Sequence, residues 1–278
     1  MKIAFIGGGN MAAALIAGLA GKLTPGANIH VVDPNPASLE KLRQEYGVSV
    51  AAAAGEPVAA AEVLVLAVKP QVMHEVTQQL LPLLQAAQAA GRSPLVLSIA
   101  AGIRAADLSR WLGGYQAIVR TMPNTPALIG MGVTGMVACA GVSVQQRGTA
   151  DQILRAVGAT VWLDDEAKID AVTAVSGSGP AYVFYFIEAM QQAAEELGLT
   201  AEQGKALAMA TFTGAAQLAL QSPDPVPVLR EKVTSKGGTT YAALTSMEAS
   251  GVKASIIAAV KAAAARGKEL GEQLGAAG

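Results

Sequence analysis

Near its amino terminus the chain runs Lys-Ile-Ala-Phe-Ile from Lys2 to Ile6 and continues Gly7-Gly8-Gly9-Asn10-Met11-Ala12. This short segment constrains the fold more than any other. The apolar run predicts a strand, and Ala13 to Gly21 predicts a helix. Between them the residues have the spacing G-x-G-x-x-A, which lets the pyrophosphate of a dinucleotide rest on a helix N-terminus. In that pattern Gly7 permits the tight turn, Gly9 lets the backbone come close to a phosphate, and small Ala12 lets the helix pack on the strand. The free N–H groups at the helix start, with the helix dipole, favour an anion by about 0.3 to 1 kcal/mol. Lys2 followed by apolar and small residues also imitates a signal peptide, but the glycine triplet would break the apolar helix of such a peptide.

The following residues extend the pattern. Ile29 to Val32 is a second apolar run, ending at Asp33, about 20 residues beyond the glycines, where an acidic residue bonds the adenosine ribose in such folds. A carboxylate there repels a 2′-phosphate, so Asp33 argues for NADH over NADPH. Asn35 and Ser38 are polar neighbours able to accept the phosphate, which leaves the preference open. Further apolar runs occupy Val63 to Val68, Leu95 to Ile99 and Tyr115 to Val119, and they lack the alternation of a half-exposed strand. Helical segments separate them. The expectation is a Rossmann-type, doubly wound parallel sheet with ligand contacts in the loops after its strands.

Composition narrows the function classes. Of the 278 residues 52% are hydrophobic and only 15% charged, and the formal net charge is -1. A globular average is about 25% charged. No basic field exists to bind nucleic acid. No uninterrupted apolar stretch reaches the roughly 20 residues of a membrane span, since Pro123, Asn124 and Pro126 break the longest uncharged one. The missing surface charge then points to a homo-oligomer with large buried faces. One cysteine, Cys139, excludes an intrachain disulfide and makes the cytoplasm the default compartment; with only two histidines, no metal site is expected.

From about residue 165 the pattern changes to helices: Glu166 to Val175, Pro180 to Leu197, Ala201 to Gln221, Val226 to Val233, Thr239 to Ala249 and Val252 to Gly271. We therefore divide the chain into a nucleotide-binding domain, 1–164, and an all-helical substrate-binding and oligomerisation domain, 165–278. Two helix starts are distinctive. Ser176-Gly177-Ser178-Gly179-Pro180 places proline at a first helical position, which also suits a tight helix corner. Thr234-Ser235-Lys236-Gly237-Gly238-Thr239-Thr240 offers amides, hydroxyls and one ammonium to an anion, although an ordinary flexible N-cap has the same composition.

Five segments in order, FIGGGNMA, AVKP at Ala67 to Pro70, RTMPNTPA at Arg120 to Ala127, SGSGPAYVF at Ser176 to Phe184 and VTSKGGTT at Val233 to Thr240, span essentially the whole chain. In these the chain resembles the pyrroline-5-carboxylate reductases. The resemblance implies reduction of the cyclic imine L-1-pyrroline-5-carboxylate to L-proline with NADPH or NADH, the last step of proline biosynthesis. It implies a dimer through the carboxy-terminal helices, and in many members a decamer. It places the substrate carboxylate on Ser235, Gly237, Gly238, Thr239 and Thr240, with the Thr240 hydroxyl directed at the ring nitrogen and Glu166 near the substrate amine; Thr240 and Glu166 are the expected catalytic pair. It assigns cofactor contacts to Gly7, Gly8, Gly9, Asn10, Met11 and Ala12, to Asp33 and Asn35, to Ala67, Val68, Lys69 and Pro70, and to Ser98, Ile99 and Ala100. One departure is Lys236, where the family usually has proline.

Two other readings share the amino-terminal half. A β-hydroxyacid dehydrogenase would carry a lysine on the helix after the Ser176–Pro180 turn, and here none occurs before Lys205. A nucleotide sensor without catalysis would have no need of the Thr234–Thr240 loop.

Overall fold

The computed structural model describes residues 1–276 and begins with alternating strands and helices. In order these are β1 (Ile3–Ile6), α1 (Asn10–Leu19), β2 (Ile29–Val32), α2 (Pro36–Tyr46), β3 (Ser49–Ala51), α3 (Glu56–Ala59), β4 (Val63–Leu66), α4 (Met73–Ala89), β5 (Leu95–Ser98), α5 (Ala105–Trp111), β6 (Ile118–Met122), β7 (Gly132–Ala138), α6 (Val144–Arg155) and β8 (Gly158–Trp162). They form one sheet in the order β3-β2-β1-β4-β5-β6-β7-β8. Pairing is parallel from β3 to β6, as the apolar runs predict. The sheet then turns mixed, because β7 lies antiparallel to β6 and β8 runs parallel to β7. The β6–β7 connection holds only a 3-10 turn, Thr125–Ile129, and is too short for the crossover that a parallel pair requires.

Every residue of β1, β2, β4 and β5 is buried, which explains their unalternating sequences. Successive side chains point to opposite faces. Ile3, Phe5, Val31, Val63, Val65, Leu95 and Leu97 pack on one face with Leu15, Ile16 and Leu19 of α1, Leu39 and Leu42 of α2, and Ile153 and Leu154 of α6. Ala4, Ile6, Val32, Leu64, Leu66 and Val96 pack on the other with Leu80 and Leu84 of α4 and Leu108 and Trp111 of α5. Each such side chain contributes about 1.5 to 3 kcal/mol by leaving water.

After β8 come α7 (Lys168–Val172), a π-helical turn (Thr173–Gly177), α8 (Gly179–Glu196), α9 (Ala201–Gln221), α10 (Val226–Lys232), α11 (Thr239–Ala249) and α12 (Val252–Ala276). The compact units divide elsewhere than at 164/165. One comprises Met1–Ser178 with the described end of the chain from Ala263, and the other is Gly179–Ala262. The reason is local packing, since α7 lies on β6 and β7 and so stays with the sheet. In the second unit only Ile187, Gly204 and Ala208 are buried, whereas Phe184, Tyr185, Leu197 and Leu220 are 64%, 72%, 84% and 79% exposed. Among the described residues no helix is long and apolar enough to cross a membrane.

Candidate active site

The strand registers place Ile6 beside both Val32 and Leu66, and Leu66 beside Ser98. The residues that follow these strands, Gly7, Asp33, Ala67 and Ile99, therefore share one edge of the sheet. The strand order reverses between β1 and β4, and an open α/β sheet binds its ligand at such a switch point. Gly7 meets two demands there. Its φ of 105° lies in the left-handed region, and a Cβ on it would stand 2.5 Å from the Ala67 carbonyl oxygen. No other residue brings β1 and the end of β4 this close.

Beyond Gly7 the turn opens. A Cβ on Gly9 would meet nothing within 4 Å. Gly9 is the N-cap of α1 and supplies no side-chain cap, so the first amides of α1, Asn10, Met11 and Ala12, point into this space without intrahelical partners. Ala12 is buried against the strand face, as a small residue there should be. The predicted nucleotide residues Gly7 to Ala12, Ala67 to Pro70 and Ser98 to Ala100 are thus gathered at one edge, and the open, uncapped turn fits a pyrophosphate.

Asp33, expected as a ribose ligand, is tied to the backbone through both carboxylate oxygens. Its Oδ2 accepts the Gly8 amide at 2.7 Å and its Oδ1 accepts the Asn35 amide at 2.8 Å. Asn35 in turn caps α2, its Oδ1 accepting from Ala37 and Ser38 at 3.0 and 3.4 Å. The Ser38 hydroxyl donates to the Gly8 carbonyl at 2.7 Å.

Glu166 stands farther along the same compact unit. Its Oε1 accepts from Arg120 Nη1 and from the Ala105 amide, each at 2.7 Å. The Ala105 amide starts α5, so the carboxylate does for α5 what an N-cap side chain does. Arg120 lies in β6 opposite Ser98, its side chain 5% exposed against 32% for Glu166. The strand runs farther than the predicted Tyr115 to Val119, carrying Arg120 and Thr121 inside the sheet. Cys139 is nearby and half-buried; burial, and next the charge of Glu166, raise its thiol pKa and keep it an unreactive thiol.

The segment predicted as one helix from Glu166 to Val175 instead breaks into α7 and the π turn. Asn124 holds that turn. Its Nδ2 donates to the Ser176 carbonyl at 3.1 Å while its Oδ1 accepts the Val133 amide at 2.9 Å. A Cβ on Gly177 would stand 2.6 Å from Met122 Cε, the movable end of a flexible side chain, so the turn packs closely on the end of β6. Arg120 and Asn124 were visible only as members of a motif, with no role attached. A charge inside an apolar strand and an amide between two prolines were the available signals.

In the second unit, the Gly238 amide donates to the Ser235 carbonyl at 3.0 Å, closing a β-turn over Lys236 and Gly237. Gly237 has φ 74° and, among the described residues, no residue other than glycine has positive φ, which makes this a type II turn. Gly238 is the N-cap of α11 with no side-chain cap, leaving the Thr239 and Thr240 amides at the helix start without intrahelical partners. The predicted carboxylate loop is therefore an ordered turn delivering free N–H groups and two hydroxyls. Lys236 occupies position i+1, which proline suits but does not monopolise, since the glycine at i+2 sets the turn. Among the described residues no group of three or more His, Cys, Asp or Glu is arranged to hold a metal ion.

Comparison with known proteins agrees along the whole chain. Residues 166–270 match the family described as pyrroline-5-carboxylate reductase dimerisation, and residues 2–102 match that described as NADP oxidoreductase coenzyme F420-dependent. A pyrroline-5-carboxylate reductase of Pseudomonas aeruginosa is 50% identical over 274 residues, covering 99% of this chain and 98% of that protein. That of Haemophilus influenzae is 42% identical, covering 96% and 97%. Among solved structures, a pyrroline-5-carboxylate reductase from Coxiella burnetii superposes with a TM-score of 0.89 at 39% identity, covering 97% of this chain and 98% of that one. A pyrroline carboxylate reductase from Plasmodium falciparum with NADP bound gives 0.85 at 29% identity, covering 98% of each chain.

Proposed function

The chain belongs to the pyrroline-5-carboxylate reductase family, and from that premise we propose which of its residues carry the reaction. It is an oxidoreductase that reduces L-1-pyrroline-5-carboxylate to L-proline with NAD(P)H. The observation that carries the nucleotide assignment is the uncapped start of α1 behind Gly9, open to solvent at the strand-order reversal. Gly7 to Ala12 would hold the pyrophosphate there. Ala67 to Pro70 and Ser98 to Ala100, on the neighbouring strand ends, would line the path toward the nicotinamide. NAD(P)H, when bound, supplies the hydride.

The protein's own share of the chemistry is modest. A protonated cyclic imine is already a good hydride acceptor, so catalysis rests on holding the imine carbon in place, on excluding water and on a proton near the nitrogen. Ser235, Gly237, Gly238 and Thr239 bind the substrate carboxylate through the turn and the uncapped start of α11. Thr240 is the catalytic residue, its hydroxyl donating to the ring nitrogen. Glu166 receives a different assignment from the one expected beside the substrate amine. Its Oε1 is already engaged by the buried guanidinium of Arg120 and by the Ala105 amide, so Glu166 acts by fixing the loop between β5 and α5 that carries Ala100.

The protein is a homo-oligomer; we propose the dimer through its carboxy-terminal helices as the building block, with a decamer as the larger assembly. The nearly coreless unit Gly179–Ala262 and the dimerisation match support this. In function the division stays near 164/165, where the dimerisation match begins, and we assign the enzyme to the cytoplasm, since its single, half-buried Cys139 requires no oxidising compartment. We propose no membrane or nucleic-acid partner. The direct test is Thr240→Ala. It lowers kcat by about 10²-fold or more, the range for loss of a positioned proton donor, and leaves the NADP⁺ Kd unchanged. Full kcat in this variant would remove Thr240 from the mechanism.

A further inference from the structure

We propose that Asp33 is a positioning residue that staples the glycine turn to the start of α2, and that it therefore does not select NADH over NADPH. The inference rests on the dinucleotide reading of the same turn and concerns its specificity. An aspartate that reads the adenosine ribose needs carboxylate lone pairs to accept the ribose hydroxyls. Here each carboxylate oxygen already accepts a backbone amide, Oδ2 from Gly8 at 2.7 Å and Oδ1 from Asn35 at 2.8 Å. The Gly8 peptide is gripped on its other side by the Ser38 hydroxyl at 2.7 Å. A Cβ on Gly8 would stand 3.2 Å from Ser38 Oγ and 3.4 Å from Asp33 Cβ, so the peptide sits tightly between these two side chains.

The consequence for specificity is electrostatic. Two amide dipoles directed at the Asp33 carboxylate offset part of its charge, and one accepting site on each of its oxygens is already committed to the backbone. The adjacent α2 N-terminus adds a partial positive charge, since Asn35 caps it with a neutral amide rather than a carboxylate. What Asp33 does for the nucleotide it does through the shape of the glycine turn, which both nucleotides share.

Calorimetric titration of the whole protein with NADP⁺ and with NAD⁺ tests this, comparing wild type, Asp33→Ala, Asp33→Asn and Ser38→Ala. Asp33→Ala weakens both nucleotides by on the order of tenfold, the equivalent of one charge-assisted bond lost from the turn, with the ratio of the two Kd values held within about threefold. Asp33→Asn retains one accepting oxygen and recovers part of the loss for both, and Ser38→Ala weakens both by a smaller, equal factor. Far-UV circular dichroism and the thermal unfolding midpoint of each variant, measured beside the titrations, separate a local loss of nucleotide affinity from general misfolding. If Asp33→Ala or Asp33→Asn weakens NAD⁺ while tightening NADP⁺, Asp33 is a ribose ligand and the inference is overturned. Unchanged affinities in all variants overturn it as well. Should Asp33→Ala fail to fold, Asp33→Asn and Ser38→Ala still decide between these results. Wild type that binds neither nucleotide would defeat the dinucleotide reading itself.

Discussion

Removing Glu166 should cost more stability than removing Arg120, although the two share one ion pair. The pair is asymmetric, with the Arg120 side chain 5% exposed and that of Glu166 32% exposed. Glu166→Ala leaves a buried guanidinium without its carboxylate, a change that costs about 3 to 5 kcal/mol when one partner of a buried pair is lost. It also removes the acceptor of the Ala105 amide at the start of α5, a cap worth about 1 kcal/mol. Arg120→Met leaves a carboxylate that water reaches and that keeps the Ala105 amide, so its cost is about 1 to 2 kcal/mol. The double variant Arg120→Met, Glu166→Leu replaces the pair by apolar side chains and should cost less than the sum of the single changes. Urea unfolding followed by tryptophan fluorescence is suited to this, because both tryptophans, Trp111 and Trp162, lie in the unit that holds the pair. An Arg120→Met cost equal to or above that of Glu166→Ala would refute the reasoning, as would strict additivity in the double variant.

Two further outcomes follow from residues with no proposed catalytic role. Burial lowers the pKa of His30, whose Nδ1 lies 2.8 Å from the Ser49 hydroxyl and whose Nε2 has no partner among the described residues, so the folded state keeps the ring neutral. The sign is that of a folded pKa below the unfolded one. Its share of stability is complete above the ordinary histidine pKa of about 6.5 and declines as pH falls through that value. Denaturation at pH 7.5 and 5.5 should show a larger loss for wild type than for His30→Gln, and parallel losses would count against the assignment. Lys236→Pro should raise stability by about 0.4 to 1 kcal/mol, because position i+1 of the type II turn already has the backbone that proline prefers. A lower melting temperature in this variant would show that the Lys236 amide or side chain has a role the turn geometry does not reveal.

Much of the architecture was legible because burial on both faces leaves a distinctive trace. β1, β2, β4 and β5 appear as unbroken apolar runs, and the glycines after β1 announce the turn. β3 escaped notice for the opposite reason, since Ser49–Ala51 is three residues long and lies half-exposed at the sheet edge. Arg120 looked like the end of a strand because its partner, Glu166, is 46 residues away and leaves no mark on local patterning. The π turn was hidden in the same way. The Ser176 carbonyl of that turn is bonded by an amide from Asn124, 52 residues earlier. For Asp33 the residue type was legible and its bonds to the Gly8 and Asn35 amides were not, because they depend on angles that residue types do not encode. Composition led to association correctly, since the missing charge and the unhidden apolar surface are one fact seen twice.

The second unit, with only Ile187, Gly204 and Ala208 buried, implies something about how this enzyme holds its shape. A helical unit with so little interior has little beyond the α8–α9 packing to offset the entropy of ordering its chain, so its folding should be coupled to its association. The protomer concentration then enters the folding equilibrium directly. Dilution acts on this unit as heat or urea would, and a melting temperature has meaning only beside the concentration at which it was measured. Thr240, for which a catalytic role is proposed, lies in that unit, so activity per protomer should itself decline below a threshold concentration.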